Sequence, residues 1–337
     1  MSVTKKPRAP LLEAGEGALR ELVEVFWLEG GPRQLGPVAR GGQGQVWRLD
    51  LEEPRRSLAV KELFAGGDEQ RIAIENGYRD LAVAAGIRAP ANLRTVDGCY
   101  LAEVAGAVVR VSTWVDGSEP RPDESGAPEW LGRTLATLHT LGHPVDHSGP
   151  TSTDPPIPDP GIWLELAEQG PAAGRPWASA LARAAPALSG LGAAVQPADA
   201  NRMVVSHHDV QPSNVLVETG EFVLLDWDGV GPIDPGRELA SRLYTWHVHE
   251  NRLDKDAARR TLRAYRAAGG HAVIGEAEAY GGIPDALAYL KGQAQASLDT
   301  SLPAAMREHS TRETSELLAD PPQPEIFQAI VELGRTM

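Results

Sequence analysis

The sequence predicts an α+β protein of two lobes, a smaller β-rich one followed by a larger, mainly helical one. Three observations carry that expectation. The first third reads helix, strand, strand, helix, strand, strand by its apolar periodicity. A polar, breaker-rich stretch, "DGSEPRPDESGAP" at 116–128, interrupts that pattern. From "DPGRELASRLYTWHVH" onward the periodicity is mostly helical. The lobes are therefore expected at 1–116 and 117–337, a length comfortable for two units.

The elements follow in order. "ALRELVEVFW" (18–27) carries apolar residues at helical spacing. After a Gly/Pro break, "GPVARGGQGQVWRLDL" and "RSLAVKELF" read as strands bounded by turn residues. "DEQRIAIENGYRDLAVAAG" (68–86) is helical and ends at Gly86, with Pro90 close behind. "CYLAEVAGAVVRVSTWV" (99–115) reads as two further strands. "EWLGRTLATLHTLG" (129–142) is a helix, and 143–161 is a long proline-rich loop. "IWLELAEQ" and "RPWASALARAAPALSGLG" are helical, and "EFVLLDWDGV" is a β-type run. Loops are expected near Gly281–Pro284 and Pro321–Pro324.

Composition narrows the function classes. A net charge of -14 argues against a nucleic-acid partner, because a phosphate backbone demands basic surface. It suits solubility, or a cationic small substrate. A single cysteine, Cys99, excludes an intrachain disulfide and fits a reducing compartment. The opening "MSVTKKPRAPLLEAGEG" has no apolar core of a secretory leader, and no stretch is apolar enough to span a membrane. A soluble, cytoplasmic protein with no membrane partner is expected.

The segment "SHHDVQPSNVLV" (206–217) has three readings. As a metal site it fails on spacing, since in an extended segment only His207 and Asp209 share a face. His139, His143 and His147 stand four apart, but Gly142 and Pro144 break the helix that would align them. As a turn it is ordinary, because Asp, Pro, Ser and Asn are loop formers. Its company favours chemistry. Asp209 is followed five positions later by Asn214, and Asp226 ends the apolar run "FVLL". A loop aspartate, a loop asparagine and a strand-end aspartate are the parts of phosphoryl transfer. The first accepts the proton of an attacking hydroxyl, and the other two hold Mg²⁺ against nucleotide phosphates.

The same chemistry needs a glycine-rich loop and a lysine upstream. "ARGGQGQVWRL" supplies Gly41, Gly42 and Gly44 between two strands, where a backbone without side chains can approach phosphates. A plain glycine hairpin is the alternative. Lys61 ends the apolar strand "LAVKEL", within reach of α- and β-phosphates. Glu75, on the apolar face of the next helix, is expected to pair with Lys61 in preference to Glu69.

In this order, the Gly-rich loop, "AVK", the helix glutamate, "HHDVQPSN" and "LLDWD" resemble the aminoglycoside phosphotransferase family. The resemblance spans about residues 35–245. That family's catalytic loop reads H-G-D, four residues, N; here His207, Asp209, Pro212 and Asn214 match, and His208 stands where glycine is common. Leu225–Asp226–Trp227 matches its metal motif. "IDPGRELA" matches its downstream pattern at Asp234 and Pro235, with Glu238 in place of an aspartate.

The resemblance implies a bilobal protein-kinase-like fold. It implies ATP as cofactor, with GTP as the alternative, together with Mg²⁺. In "VVRVSTWVDG" it implies an interlobe hinge whose backbone near Thr113 and Val115 meets the adenine edge. Asp209 would orient and deprotonate the acceptor, Asn214 and Asp226 would bind the metal, and Gly42, Gly44, Lys61 and Glu75 would serve the nucleotide. His207 is expected to be structural, and Asp228 is read as a metal or substrate ligand or as a turn carboxylate.

No H-R-D or D-F-G segment is present, and no A-P-E follows Asp226, so a small acceptor is expected rather than a protein. An aminoglycoside or other antibiotic is the leading acceptor, a metabolite of choline, homoserine or sugar type the alternative. An inactive pseudokinase-like binding protein and a zinc hydrolase are the rival classes.

Overall fold

A computed structural model describes residues 15–40, 44–53, 55–143 and 155–336. The chain forms two compact units. The first takes the chain through Glu119 and then Ser213–Asp228; the second takes Pro120–Pro212 and everything from Gly229 on. The fold is of the kinase-like α+β class, with a five-stranded antiparallel sheet in one unit and mostly helices in the other.

The first unit opens with α1 (Glu16–Val25), whose buried Ala18 and Leu22 face inward. Three antiparallel strands follow, β1 (Gly31–Arg40), β2 (Gly44–Glu52) and β3 (Arg56–Leu63). Helix α2 (Glu69–Ala84) starts at Asp68, whose side chain accepts from the N–H groups of Gln70 and Arg71, a standard N-cap. Strands β4 (Ala102–Val104) and β5 (Ala107–Thr113) complete the sheet in the order β1-β2-β3-β5-β4. Alternation does the sorting. Leu49, Leu51, Leu58, Val60, Val109 and Val111 point into a core shared with α1, leaving the intervening side chains on the other face.

The second unit begins with α3 (Ala127–Thr140), α4 (Ile162–Gln169) and α5 (Ala178–Ala194), then the short strand β6 (Val204–Ser206). The chain returns to the first unit as a hairpin, β7 (Val215–Glu218) and β8 (Glu221–Leu224). Back in the second unit, β9 (Gly231–Ile233) pairs antiparallel with β6. Helix α6 (Pro235–His247) is capped by Asp234, with Pro235 in its first turn. The two-residue strands β10 (Val248–His249) and β11 (Arg252–Leu253) precede α7 (Lys255–Ala267), α8 (Glu276–Ala279), α9 (Ile283–Leu298), α10 (Ala304–Ala319) and α11 (Pro324–Arg335). Helices α3 and α7 meet closely at Gly132, where a Cβ would stand 2.2 Å from the Thr261 carbonyl oxygen.

Both expected loops are present, at 280–282 between α8 and α9 and at 320–323 between α10 and α11. Pro284 and Pro324 close them by entering the first turn of the helix that follows, where a missing N–H costs nothing. Part of the proline-rich loop, 144–154 including His147, lies outside the described residues, as do Gly41 and Gly42.

Candidate active site

In the first unit the site residues are brought together by the hairpin and two sheet strands. The hairpin turns at Thr219 and Gly220, with φ of 52° and 85°, as a two-residue turn with both centres left-handed requires. Its register pairs Val215 with Leu224, and the Leu225 N–H donates to the Asn214 carbonyl at 2.8 Å. Asn214 therefore enters β7 at the end of the hairpin where Asp226 leaves β8. Asp226 itself is left-handed, with φ of 52°, an uncommon setting that Asp tolerates better than most residues. Trp227, buried beside Tyr78, donates its indole N–H to the Leu224 carbonyl at 3.1 Å and fixes the turn that follows.

That turn presents two carboxylates to Lys61. Its ammonium donates to Asp226 Oδ1 at 2.7 Å and to Asp228 Oδ2 at 2.8 Å. Lys61 stands directly across β3 and β5 from Arg110, so both cations project from the same face of the sheet. Arg110 donates to the other oxygen of Asp228 and lies 3.8 Å from Asp226 Oδ1. Burial works against ionisation of Asp228, but the charges of Lys61 and Arg110 and their hydrogen bonds hold it down at about 2.

The expected pair between Lys61 and Glu75 is not formed. Glu75 is buried on α2 and accepts from Arg71, one turn earlier, at 2.9 Å, with Arg110 3.7 Å away. Arg110 occupies the ground between Glu75 and Lys61, and sequence reading passed over it. Burial, together with the Asp228 charge, pushes the Glu75 carboxyl up to about 7 despite those arginines. The competing Glu69 accepts instead from the N–H groups of Tyr100 and Leu101, a loop-anchoring role.

Gly44 has a reason of its own: a Cβ there would stand 2.3 Å from the Glu62 carbonyl oxygen, so the strand crossing demands glycine. At the end of β5, the Thr113 N–H already donates to the Ala91 carbonyl at 2.9 Å. Beyond it, Val115 is half-buried. The following segment is pinned to β7 by paired bonds between Ser118 and Val217, at 3.2 and 2.8 Å.

In the second unit, Asp209 sits in the loop after β6 with a side chain 43% exposed. Gln211 donates to its Oδ2 at 3.2 Å, and Arg242 of α6 approaches Oδ1 at 3.5 Å. His207 is fully buried, and its Nδ1 accepts the Asp209 N–H at 3.2 Å. His208 has φ of 68°, the left-handed region, which explains why glycine suits this position. Its N–H donates to Glu238 at 2.9 Å, so the two departures from the family pattern, His208 and Glu238, touch each other.

Glu238 is itself buried and bonded to His139 Nε2 at 2.9 Å, while His139 Nδ1 meets the Tyr265 hydroxyl at 2.9 Å. Burial would raise its pKa, but the His139 hydrogen bond and the nearby histidines hold it low, at about 2. Arg242 is the second residue that sequence reading missed. Its only signal is a cation at helical spacing from Glu238 within "GRELASRL".

Among the described residues, no group of three or more His, Cys, Asp and Glu side chains is placed to hold a metal ion. A cation at this site would rest on one or two protein ligands plus phosphate oxygens, as Mg²⁺ commonly does, and Asn214 and Asp226 suit that donor set. Among the described residues no helix is long and apolar enough to cross a membrane.

A sequence model of the phosphotransferase enzyme family matches residues 35–280. No curated protein matches the sequence. Solved structures of similar fold include a spectinomycin phosphotransferase in complex with ADP and spectinomycin, at 15% identity and TM-score 0.70, covering 97% of this chain and 99% of that one. An amicoumacin kinase bound to AMP-PNP and Ca²⁺ aligns at 15% identity and TM-score 0.59, covering 93% and 96%. An aminoglycoside phosphotransferase from Alicyclobacillus acidocaldarius aligns at 17% identity and TM-score 0.56, covering 98% and 97%.

Proposed function

Because the chain belongs to the phosphotransferase enzyme family, we propose that it moves the γ-phosphoryl group of ATP, with Mg²⁺, onto a hydroxyl of an aminoglycoside or other antibiotic. Asp209 accepts the proton of the attacking hydroxyl and aims its oxygen. Asn214 and Asp226 hold the metal ion, and Lys61 holds phosphate oxygens. A bound divalent cation supplies charge neutralisation at the β- and γ-phosphates. Gly42 and Gly44 serve the phosphates through a backbone free of side chains, and the backbone near Val115 meets the base.

One observation carries this reading. Lys61 and Asp226, 165 residues apart in sequence, meet at 2.7 Å. A cation and a carboxylate drawn together from distant strands support a site that holds phosphates beside a metal ion. The partial exposure of Asp209 supports its role, since a proton acceptor must be reachable by substrate. The antibiotic class has support from two proteins of similar fold, a spectinomycin phosphotransferase and an amicoumacin kinase. The acidic balance of this chain agrees with a cationic acceptor.

The test is an ADP-release screen with Mg²⁺ and either ATP or GTP over aminoglycosides, peptide antibiotics, amino alcohols and sugars. The expected result is acceptor-dependent turnover with an antibiotic, matched by growth protection of a sensitive bacterium expressing the chain. Turnover confined to an amino alcohol or a sugar would overturn the antibiotic assignment. Nucleotide binding without turnover on any acceptor would overturn the enzymatic reading.

A further inference from the structure

Lys61 and Arg110 face each other across β3 and β5, and like charges directly opposite on one sheet face repel. An anion has to stand between them. Asp228 does, giving one carboxylate oxygen to each cation. The ionic contacts then run in strict alternation: Arg71 to Glu75, Glu75 to Arg110, Arg110 to Asp228, Asp228 to Lys61, Lys61 to Asp226. With Glu75 ionised, three cations and three carboxylates balance, and no rung joins Lys61 to Glu75.

We infer that Asp228 is the carboxylate that positions Lys61, and that Glu75 acts one step removed by holding Arg110. This deepens the reading of Lys61 as the phosphate-binding cation and rests on it. The local structure supports the assignment. Asp228 lies in a short helical turn locked by the buried Trp227, and its own carbonyl meets Arg71 at 3.5 Å, so its carboxylate is held from several sides. Asp226 is more exposed than Asp228, 41% against 26% for the side chains.

The division of labour has a chemical use. Lys61 is held by two carboxylates, and only Asp226 belongs to the proposed metal set. Asp226 can exchange the ammonium for another cation while Asp228 keeps Lys61 in place. Had Asp226 been the sole partner, every gain of a metal ion there would release the lysine. Glu75, already engaged by Arg71 and flanked by Arg110, has no need of Lys61 as its counter-ion.

The test reads Lys61 itself and needs neither acceptor nor phosphoryl transfer. The full-length chain, without nucleotide, is acetylated by a small amine-reactive ester across a pH series. The Lys61 rate is taken by mass spectrometry relative to exposed Lys255 in the same molecules. Asp228→Asn is expected to raise relative Lys61 labelling about tenfold at pH 8, because the amine loses one of the two carboxylates that accept from it. Asp228→Ser, a second removal of the carboxylate, is expected to do the same. Glu75→Gln is expected to change it less than about twofold.

Equal labelling in wild type and both Asp228 variants would overturn the assignment. So would a Glu75→Gln effect as large as that of Asp228→Asn. Unchanged melting of each variant separates a lost anchor from a lost fold. If the chain transferred no phosphoryl group at all, the labelling order would still be measured, so the two readings fail separately.

Discussion

Two buried glutamates, one in each unit, titrate in opposite directions. Glu75 of α2 is pushed up to about 7, while Glu238 of α6 is held at about 2. Burial raises both, so the difference lies in what each carboxylate meets. Glu238 receives hydrogen bonds from His139 and from the His208 N–H, and the nearby charge favours its ionised form. Glu75 has one close donor, Arg71, and the Asp228 carboxylate works against it. The lesson is that burial sets the cost, and the sign follows from the neighbours.

The two settings also differ in purpose. Around Glu238 the partners are buried and short-range, and the network ends on the backbone beside Asp209. Around Glu75 the partners are long cations leading to half-exposed aspartates. A closed network fixes a loop; an open ladder can exchange one cation for another.

The largest expected effect comes from breaking the closed network. Glu238→Ala leaves His139 and the His208 N–H without their acceptor, and a loss of about 3–5 kcal/mol is expected, as for other broken buried pairs. Denaturant unfolding measures it, and a loss under about 1 kcal/mol would show that Glu238 is not what fixes the loop.

Next come the pH dependences, which should slope oppositely in the two units. Glu75, with its folded pKa raised to about 7, contributes stability that is full below about 4.5 and lost as pH rises through 7. Glu75→Gln should therefore gain on the wild type between pH 4.5 and 8, by about 1–3 kcal/mol. An unchanged difference across that range would contradict the buried setting of Glu75.

His247 of the second unit runs the other way. Burial lowers its pKa to about 4, and its Nε2 is bonded to Thr261 at 2.8 Å. Its contribution is present above about 6.5 and lost as pH falls through 4. His247→Gln should cost stability at pH 7 by about 1 kcal/mol through the altered hydrogen bond and should flatten the acid limb. A variant as acid-sensitive as wild type would place that titration elsewhere.

Much of the architecture was legible in periodicity. The alternation in "LAVKEL" put Lys61 on the face opposite the core, and "NVLV" with "EFVLL" made a hairpin whose open end carries Asn214 and Asp226. What periodicity could not supply was strand order. Lys61 meets Arg110 because β3 pairs with β5, skipping β4, and nothing in the local sequence encodes that choice. The signal was half present: an arginine alternating with Val109 and Val111 had to face away from the core. Without the pairing its partner has no name in the sequence, and Glu75 reads as the partner of Lys61 rather than of Arg71 and Arg110. His208 was the other opaque letter, since a left-handed φ leaves no trace in a histidine.

Asp209 is proposed as the carboxylate of phosphoryl transfer. Asp209→Asn keeps the shape and removes the charge, so the decisive measurement is its turnover on the acceptor found by the ADP-release screen, beside its affinity for Mg²⁺ and nucleotide. A fall of about 10²–10⁴-fold in kcat with nucleotide affinity little changed is the expected result. A loss below about tenfold, roughly 1.4 kcal/mol, would contradict it.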